Sequence, residues 1–212
     1  MTSRTQRTRA PRGEGERLRD EILAAARRLL LEAGDKDAVS IRQVATEVGC
    51  TPPSIYLHFG DKDELFFAVC EAEFSSFDRT MDAAVEGIED PVERLRARGE
   101  AYVHFGLENP EVYRILFMHK PSEWPEEAHT EEVLAEAGFG DLVVDVQQCI
   151  ESGVIAESDT FLVATSLWTM VHGLTSLLIA KPDFPWPDRQ RLTALVLETA
   201  LRGLLVAPEQ RQ

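Results

Sequence analysis

The sequence predicts an all-α fold of about nine helices, and three observations carry that reading. Apolar residues recur three and four apart through most of the chain, no run alternates with the two-residue period of a strand, and segment starts and stops are spelled with helix-capping residues. A chain of 212 residues with 44% hydrophobic and 8% aromatic content can bury a core as one large domain or two small ones. No internal repeat is present.

The first helix runs from Arg17 to Ala33, where Leu18, Ile22, Ala25, Ala26, Leu29 and Leu30 share a face and Gly34 ends it. Ser40 caps a second, short helix with Ile41, Val44, Ala45 and Val48 on its apolar side and Gly49 as its stop. Thr51 caps a third, spelled TPPSIYLHF, and its side chain is expected to accept from the Ser54 amide, since Pro52 and Pro53 lack one. A long helix comes next from Asp61, with Glu64 completing a capping-box pattern. Asp90-Pro91 opens a helix through about Leu107, and Asn109-Pro110 opens another through about His119. KPSEWPEEA reads as a loop. Helical spacing returns from about Thr130 to Ser152, Asp159 to Ala180 and Pro187 to Val206.

Composition narrows the function classes. Cys50, Cys70 and Cys149 are odd in number and far apart, which gives no disulfide framework or zinc spacing and suits a reducing cytosol. The start lacks the apolar stretch of a signal peptide. Phe161–Ala180 has the length of a membrane span and no charged residue, but six Ser, Thr and His side chains dilute it, so a buried helix and no membrane partner are expected.

Charge is segregated. The formal net charge is −15, yet residues 1–66 balance 11 basic against 11 acidic side chains, so the whole excess lies in residues 67–212. Arg4, Arg7, Arg9 and Arg12 precede the first acid. Only the N-terminal end can then approach a polyanion, unless the arginines are merely a solvated tail. Residues 1–14 read as a basic arm of either kind, 15–66 as a DNA-binding domain and 67–212 as a second helical domain.

The third helix has an unusual outward face. Ile55 and Phe59 form its buried edge, while Pro53 and Leu57 point away, flanked by Ser54, Tyr56 and His58. Preceded by a helix and a tight turn at Gly49-Cys50, it reads as the second half of a helix-turn-helix. In a major groove, Pro53 or Leu57 would meet a thymine methyl and Ser54 a base or phosphate. Tyr56, His58 and Lys62, with Ser40, Arg42 and Gln43 from the preceding helix, suit phosphate oxygens. Thr51 and Pro52 complete the candidate interface. A capped corner in a helical bundle would use the same spelling.

The run SIRQVATEVGCTPPSIYLHFGDKDELFFAV resembles the N-terminal helix-turn-helix of TetR-family transcriptional regulators. Ser40, Val44, Ala45, Gly49, Thr51, Ser54, Ile55, Tyr56, His58, Phe59, Lys62 and Leu65 stand where that pattern expects them. Pro52 replaces a residue often polar in the family, and Leu57 one often basic. Downstream, LWTMVHGL and DPVERLRARGEAYVHFGLENPEVYRILF look like one subset of the family's C-terminal domains. The resemblance implies a dimeric, ligand-responsive DNA-binding protein, most simply a repressor released from a palindromic operator by a small-molecule effector.

Leu95, Gly99, Tyr102 and Gly106 fall on one face of the Asp90 helix, and two glycines there imply needed space, for a neighbouring helix or for a ligand. Tyr113 with Phe117 and Trp168 with His172 are each four apart. Gly99, Tyr102, Gly106, Tyr113, Phe117, Trp168 and His172 thus form the candidate pocket for a largely apolar effector. Met170, Leu174, Leu177 and Leu178, with Leu192, Leu195, Val196 and Thr199, make two stripes for a homodimer four-helix bundle, or else an intramolecular core. His104 and His172 are read as core histidines, and no metal or cofactor is expected. The chain offers no nucleophile elbow or phosphate loop, which argues against the alternative of a small helical enzyme. An architectural DNA binder without effector is the other alternative.

Overall fold

A computed structural model describes residues 14–118 and 138–206. Among these the protein is all-α, with nine α-helices and one short 3-10 turn. The arginine-rich start, KPSEWPEEA and the expected turns at 130–137 lie outside the described residues. The chain divides into two compact units, Met1–Cys70 and Glu71–Gln212.

In the first unit α1 (Glu14–Ala33) buries Ile22, Ala25, Ala26 and Leu30. It stops at Gly34, whose φ of 66° favours glycine and whose amide donates to the Leu30 carbonyl at 2.8 Å. α2 (Ile41–Val48) packs Ile41, Val44 and Ala45 inward. Its start is a full capping box: the Ser40 hydroxyl accepts from the Gln43 amide at 3.3 Å and the Gln43 side chain accepts from the Ser40 amide at 2.8 Å. Gly49, at φ 74°, ends it in the left-handed conformation.

α3 is a single turn, Pro52–Ile55, shorter than the TPPSIYLHF helix expected. The backbone tightens after Ile55, whose carbonyl accepts from both His58 and Phe59, and this turn seats Phe59 in the core beside Ile55. The residues after Phe59 already belong to the start of the next helix: Gly60 N–H donates to Glu64 at 2.6 Å, and Glu64 N–H donates to the Asp61 carboxylate at 2.8 Å. The expected capping box therefore forms with its reach shifted one residue back. α4 (Lys62–Val85) begins in the first unit and ends in the second.

In the second unit α5 (Pro91–Glu108) is capped by the Asp90 carboxylate, and α6 (Pro110–Phe117) comes after Asn109. α7 (Gly140–Glu151), α8 (Thr160–Ala180) and α9 (Arg189–Leu204) complete it, the last two capped by Asp159 and Asp188. α5 is the hub, packed on α6, α7, α8 and α9. Leu95, Val146, Cys149, Val163, Ala164, Leu167, Ala200 and Leu201 form one core, each large side chain worth roughly 1.5–3 kcal/mol in removed apolar area. A single antiparallel bridge, Ile155 to Leu205, ties the end of α9 to the loop after α7. Cys149 is a core residue, its thiol pushed up to about 11 by burial.

α8 is the one helix among the described residues long and apolar enough to cross a membrane. Here Val163, Ala164, Leu167, Val171, Leu174, Leu178 and Ile179 are buried against neighbouring helices.

Candidate nucleic-acid interface and ligand site

The outward surface of α3 and its turn carries four exposed residues. Leu57 is 80% exposed and Tyr56 51%, with Thr51 and Pro53 also exposed. Pro52 and His58 are half-buried. Ile55 and Phe59, both buried, anchor this surface from beneath, and Arg19 of α1 lies over the Phe59 ring at 5.0 Å. Leu57 thus stands in water on a fixed scaffold.

Two expectations fail at Ser54. Its side chain turns inward, leaving the residue 8% exposed, so it does not join Tyr56 and Leu57 on the surface. The Thr51 hydroxyl does not cap the Ser54 amide either; that amide donates to the Thr51 carbonyl at 2.8 Å, and the two hydroxyls pair with each other at 2.9 Å. The physical reason is the tightness of the turn, which satisfies the amide from the backbone and leaves the hydroxyls to one another.

Around this surface, Arg42 is exposed and makes no ion pair among the described residues. Ser40 and Gln43 are exposed but spend part of their hydrogen-bonding capacity on the cap of α2. Lys62 is half-buried, 3.6 Å from Asp37 and 5.8 Å from the Phe66 ring centre. Its charge is therefore partly countered.

The second unit brings most of the pocket candidates together. Tyr102 of α5, Tyr113 of α6 and His172 of α8 meet: Tyr113 Oη lies 2.7 Å and Tyr102 Oη 3.0 Å from His172 Nδ1, and the two hydroxyls are 3.2 Å apart. Ser176 extends the network to Tyr113 at 3.4 Å. Phe117 packs on Tyr102, Tyr113 and His172, and Trp168 lies 5.4 Å from His172. Phe74 and Phe77 of α4 close the cluster against Phe117, a contribution no spacing in the sequence revealed.

Burial governs the protonation of this network. It pushes the Tyr102 hydroxyl far above the usual phenol range, reinforced by Tyr113, and raises Tyr113 as well. It lowers His172, favouring neutral imidazole. Both phenols then stay protonated and the imidazole neutral, and the imidazole tautomer sets which group donates in each contact.

Gly99 and Gly106 do not open space for a ligand. A Cβ on Gly99 would stand 2.5 Å from Leu197 of α9, and one on Gly106 would overlap Thr175 of α8. Both glycines serve close helix packing, the other use their spacing allowed. His104, expected in the core, is exposed and lies 3.2 Å from Glu108 one turn on. No cluster of three metal-ligating side chains occurs among the described residues.

The dimer stripes split in two. Leu174 and Leu178 are buried within the unit and drop out as interface residues, because α8 turns them onto its own neighbours. Met170, Leu177, Leu195 and Thr199 are exposed, and Leu192 and Val196 half-buried.

A third constellation escaped the sequence reading. Asp145 of α7 is fully buried, 2.5 Å from Arg94 and 2.8 Å from Arg98, both of α5. Arg98 also reaches toward Asp82 and Asp141 at 3.9 and 3.8 Å. A lone carboxylate inside the apolar run VVDV, and two arginines four apart, were its signal.

Comparison with known proteins then decides the family. Residues 22–69 match "Bacterial regulatory proteins, tetR family", and residues 95–200 match "Tetracyclin repressor-like, C-terminal domain". The chain belongs to the TetR family. The helix-turn-helix of the first unit and the helical second unit are the two parts those matches cover. Among relatives, the HTH-type transcriptional activator FasR of Mycolicibacterium smegmatis is 30% identical over 61% of this chain and 57% of its own length. A TetR-family transcriptional regulator from Pectobacterium atrosepticum has a similar structure, with TM-score 0.64 and 26% identity over 94% of this chain and 100% of that one. A protein of unknown function from Rhodococcus sp. RHA1 superposes with TM-score 0.76 at 26% identity, covering 89% and 96%. The chain spans about a third to three-fifths of the length of the first curated relatives it matches, 34% to 57%. It thus shares with TetR-family members both the head and the helical body.

Proposed function

We propose that this TetR-family protein is a cytoplasmic, ligand-responsive regulator of transcription that binds a palindromic DNA operator as a homodimer. The observation that carries the reading is Leu57, 80% exposed on a rigid turn whose Ile55 and Phe59 are locked in the core. A large apolar side chain held in water on a helix-turn-helix is suited to a thymine methyl in the major groove. Tyr56, Thr51 and Pro53 share its surface, and Arg42 supplies an uncompensated positive charge for a phosphate. Ser54, being buried, is left out of this interface.

Two copies are needed because one short reading surface offers few contacts, and a two-fold axis doubles them. Met170 and Leu177 on α8, with Leu195 on α9, are the exposed apolar residues that would meet in a four-helix bundle. Effector response would pass through α4, which starts at Lys62 in the DNA-binding unit and carries Phe74 and Phe77 into the aromatic cluster. An effector that binds one setting of that helix better shifts the equilibrium toward it. Occupying an operator blocks transcription most directly, so repression is the proposed sign, although FasR is an activator.

The test is a gel shift with fragments flanking the protein's own gene, followed by a reporter assay of the bound fragment. Specific retardation, with higher reporter output on deletion of the protein, is expected. Absence of binding to every flanking fragment at low salt, by a confirmed dimer, would refute the reading. Lower output on deletion would reverse the sign alone.

A further inference from the structure

α8 holds two hydrogen-bonding atoms that the protein leaves unused on one face. Thr165 Oγ1 is buried and has no partner among the described residues. Every other hydroxyl of this helix is bonded: Thr160 to Gln147, Ser166 to the Leu162 carbonyl, Thr169 to the Thr165 carbonyl, Thr175 to the Val171 carbonyl and Ser176 to Tyr113. A helical threonine ordinarily satisfies itself on the preceding turn as its neighbours do, so a buried hydroxyl that does not calls for an external partner. The second atom is His172 Nε2. The Tyr102 and Tyr113 hydroxyls both converge on Nδ1 of the same ring. With Nδ1 assigned as the acceptor of both phenols, the proton lies on Nε2, which has no partner among the described residues.

The two positions are seven apart in sequence. At 100° and 1.5 Å per residue they lie within about 20° of one another around the helix and about 10.5 Å apart along it. Trp168 lies between them and Phe161 just before them on the same face. The ring of Phe139 packs at 5.5 Å from Phe161 and 5.9 Å from Trp168. Phe161 is itself 64% exposed, so this strip is an aromatic surface with one polar atom near each end. The network around it is uncharged: phenols, imidazole and a serine hydroxyl. The buried charged residues of α5 and α7, Arg98 and Asp145, pair with each other, and Arg94 pairs with the same carboxylate.

We propose that this strip binds an uncharged, elongated, mostly apolar small molecule, with a carbonyl-type acceptor on His172 Nε2 and a hydroxyl on Thr165 Oγ1. This deepens, and rests on, the effector reading above by stating the chemical class. Carboxylates and amines are disfavoured, because among the described residues no charged side chain bonds Thr165 or His172 to repay their desolvation. The aromatic lining sets a flat or rod-shaped ligand.

The experiment uses three probes that share a conjugated rod and carbonyl and differ at the far end: chalcone, 4-hydroxychalcone and 4-carboxychalcone. Each is titrated into the full-length protein without DNA, with tryptophan fluorescence and melting temperature as readouts. The expected result is that 4-hydroxychalcone binds about tenfold more tightly than chalcone and that the carboxylate binds worst. Thr165→Val should equalise chalcone and 4-hydroxychalcone while leaving chalcone binding and the fold intact. Thr165→Ser should keep the difference, and His172→Phe should weaken both. The proposal is overturned if none of the three binds at about 100 µM, if the carboxylate binds as well as the phenol, or if Thr165→Val leaves the ratio unchanged. Operator binding, measured separately by gel shift, survives any of these failures, so the class of ligand and the regulatory reading fall independently.

Discussion

Tyr113 Oη and His172 Nδ1 lie 2.7 Å apart, joining α6 to α8 across 59 residues of sequence, with their rings stacked at 5.6 Å. Burial keeps the imidazole neutral, and that makes the contact sensitive to acid. The unfolded chain carries an ordinary imidazole titrating near 6.5, whereas the folded ring protonates only at lower pH. Unfolded chains therefore bind more protons once pH drops below 6.5, and stability falls with pH through that window. Replacing His172 with Phe should remove this component. Melting curves between pH 7 and 5 should show the wild type losing more of its melting temperature than the variant. Equal losses would mean that His172 does not titrate with folding.

The Asp145 carboxylate is held by Arg94 and Arg98 with no exposure to water. Removing one partner of such a group leaves buried charge uncompensated, at a cost of about 3–5 kcal/mol. Asp145→Ala should therefore lower the denaturation midpoint severely. A combined Asp145→Leu, Arg98→Met variant should recover much of the loss, because replacing an ion pair with apolar groups removes the desolvation cost along with the attraction. Chemical denaturation of the three proteins distinguishes this from simple loss of packing, in which the double variant would be the worst.

The contrast between these two clusters shows what the sequence made legible. Helix positions depend on local spelling, so Ser40, Gly49, Asp90 and Asp159 marked real boundaries. Tyr113 with Phe117, and Trp168 with His172, could be paired because helical period alone places them on shared faces. What period cannot give is which face meets which neighbour. Leu174 and Leu178 looked like an interface and are core, and Ser54 looked outward and is buried. Each assignment depends on tertiary contacts made by residues far away in sequence. Phe77 carried no local signal of its role, and the lone carboxylate of Asp145 in VVDV marked a buried charge without naming its partners, which sit on another helix.

The two glycines of α5 should respond differently to the same change. Alanine gains about 1 kcal/mol in helix propensity over glycine, and the sign of the outcome rests on what the new methyl meets. At Gly99 it meets Leu197 Cδ2, the end of a flexible side chain with its other methyl 3.6 Å away, so Gly99→Ala should be nearly neutral. At Gly106 it overlaps the β-branched Thr175 and stands 3.0 Å from the Tyr113 ring. Overpacking there should cost about 1–3 kcal/mol. Thr175→Ser deletes the clashing methyl and should rescue part of Gly106→Ala, read as a recovered melting temperature. No rescue would place the strain at Tyr113.

Leu57 separates stability from recognition. Its side chain is 80% exposed and Ile55 and Phe59 beneath it do the packing, so substitution should leave stability within about 0.5 kcal/mol of wild type. In the proposed groove complex the same side chain touches bases, and Leu57→Glu would replace an apolar contact with a charge facing phosphates. Loss of one good base contact is worth about 1–3 kcal/mol; with added repulsion, operator affinity should fall about 30-fold or more in a gel shift. Leu57→Ala should fall less, and its loss should be greatest on the operator and small on unrelated DNA, since phosphate contacts remain. A Leu57→Glu protein that binds its operator as the wild type does would show that this surface never enters the groove.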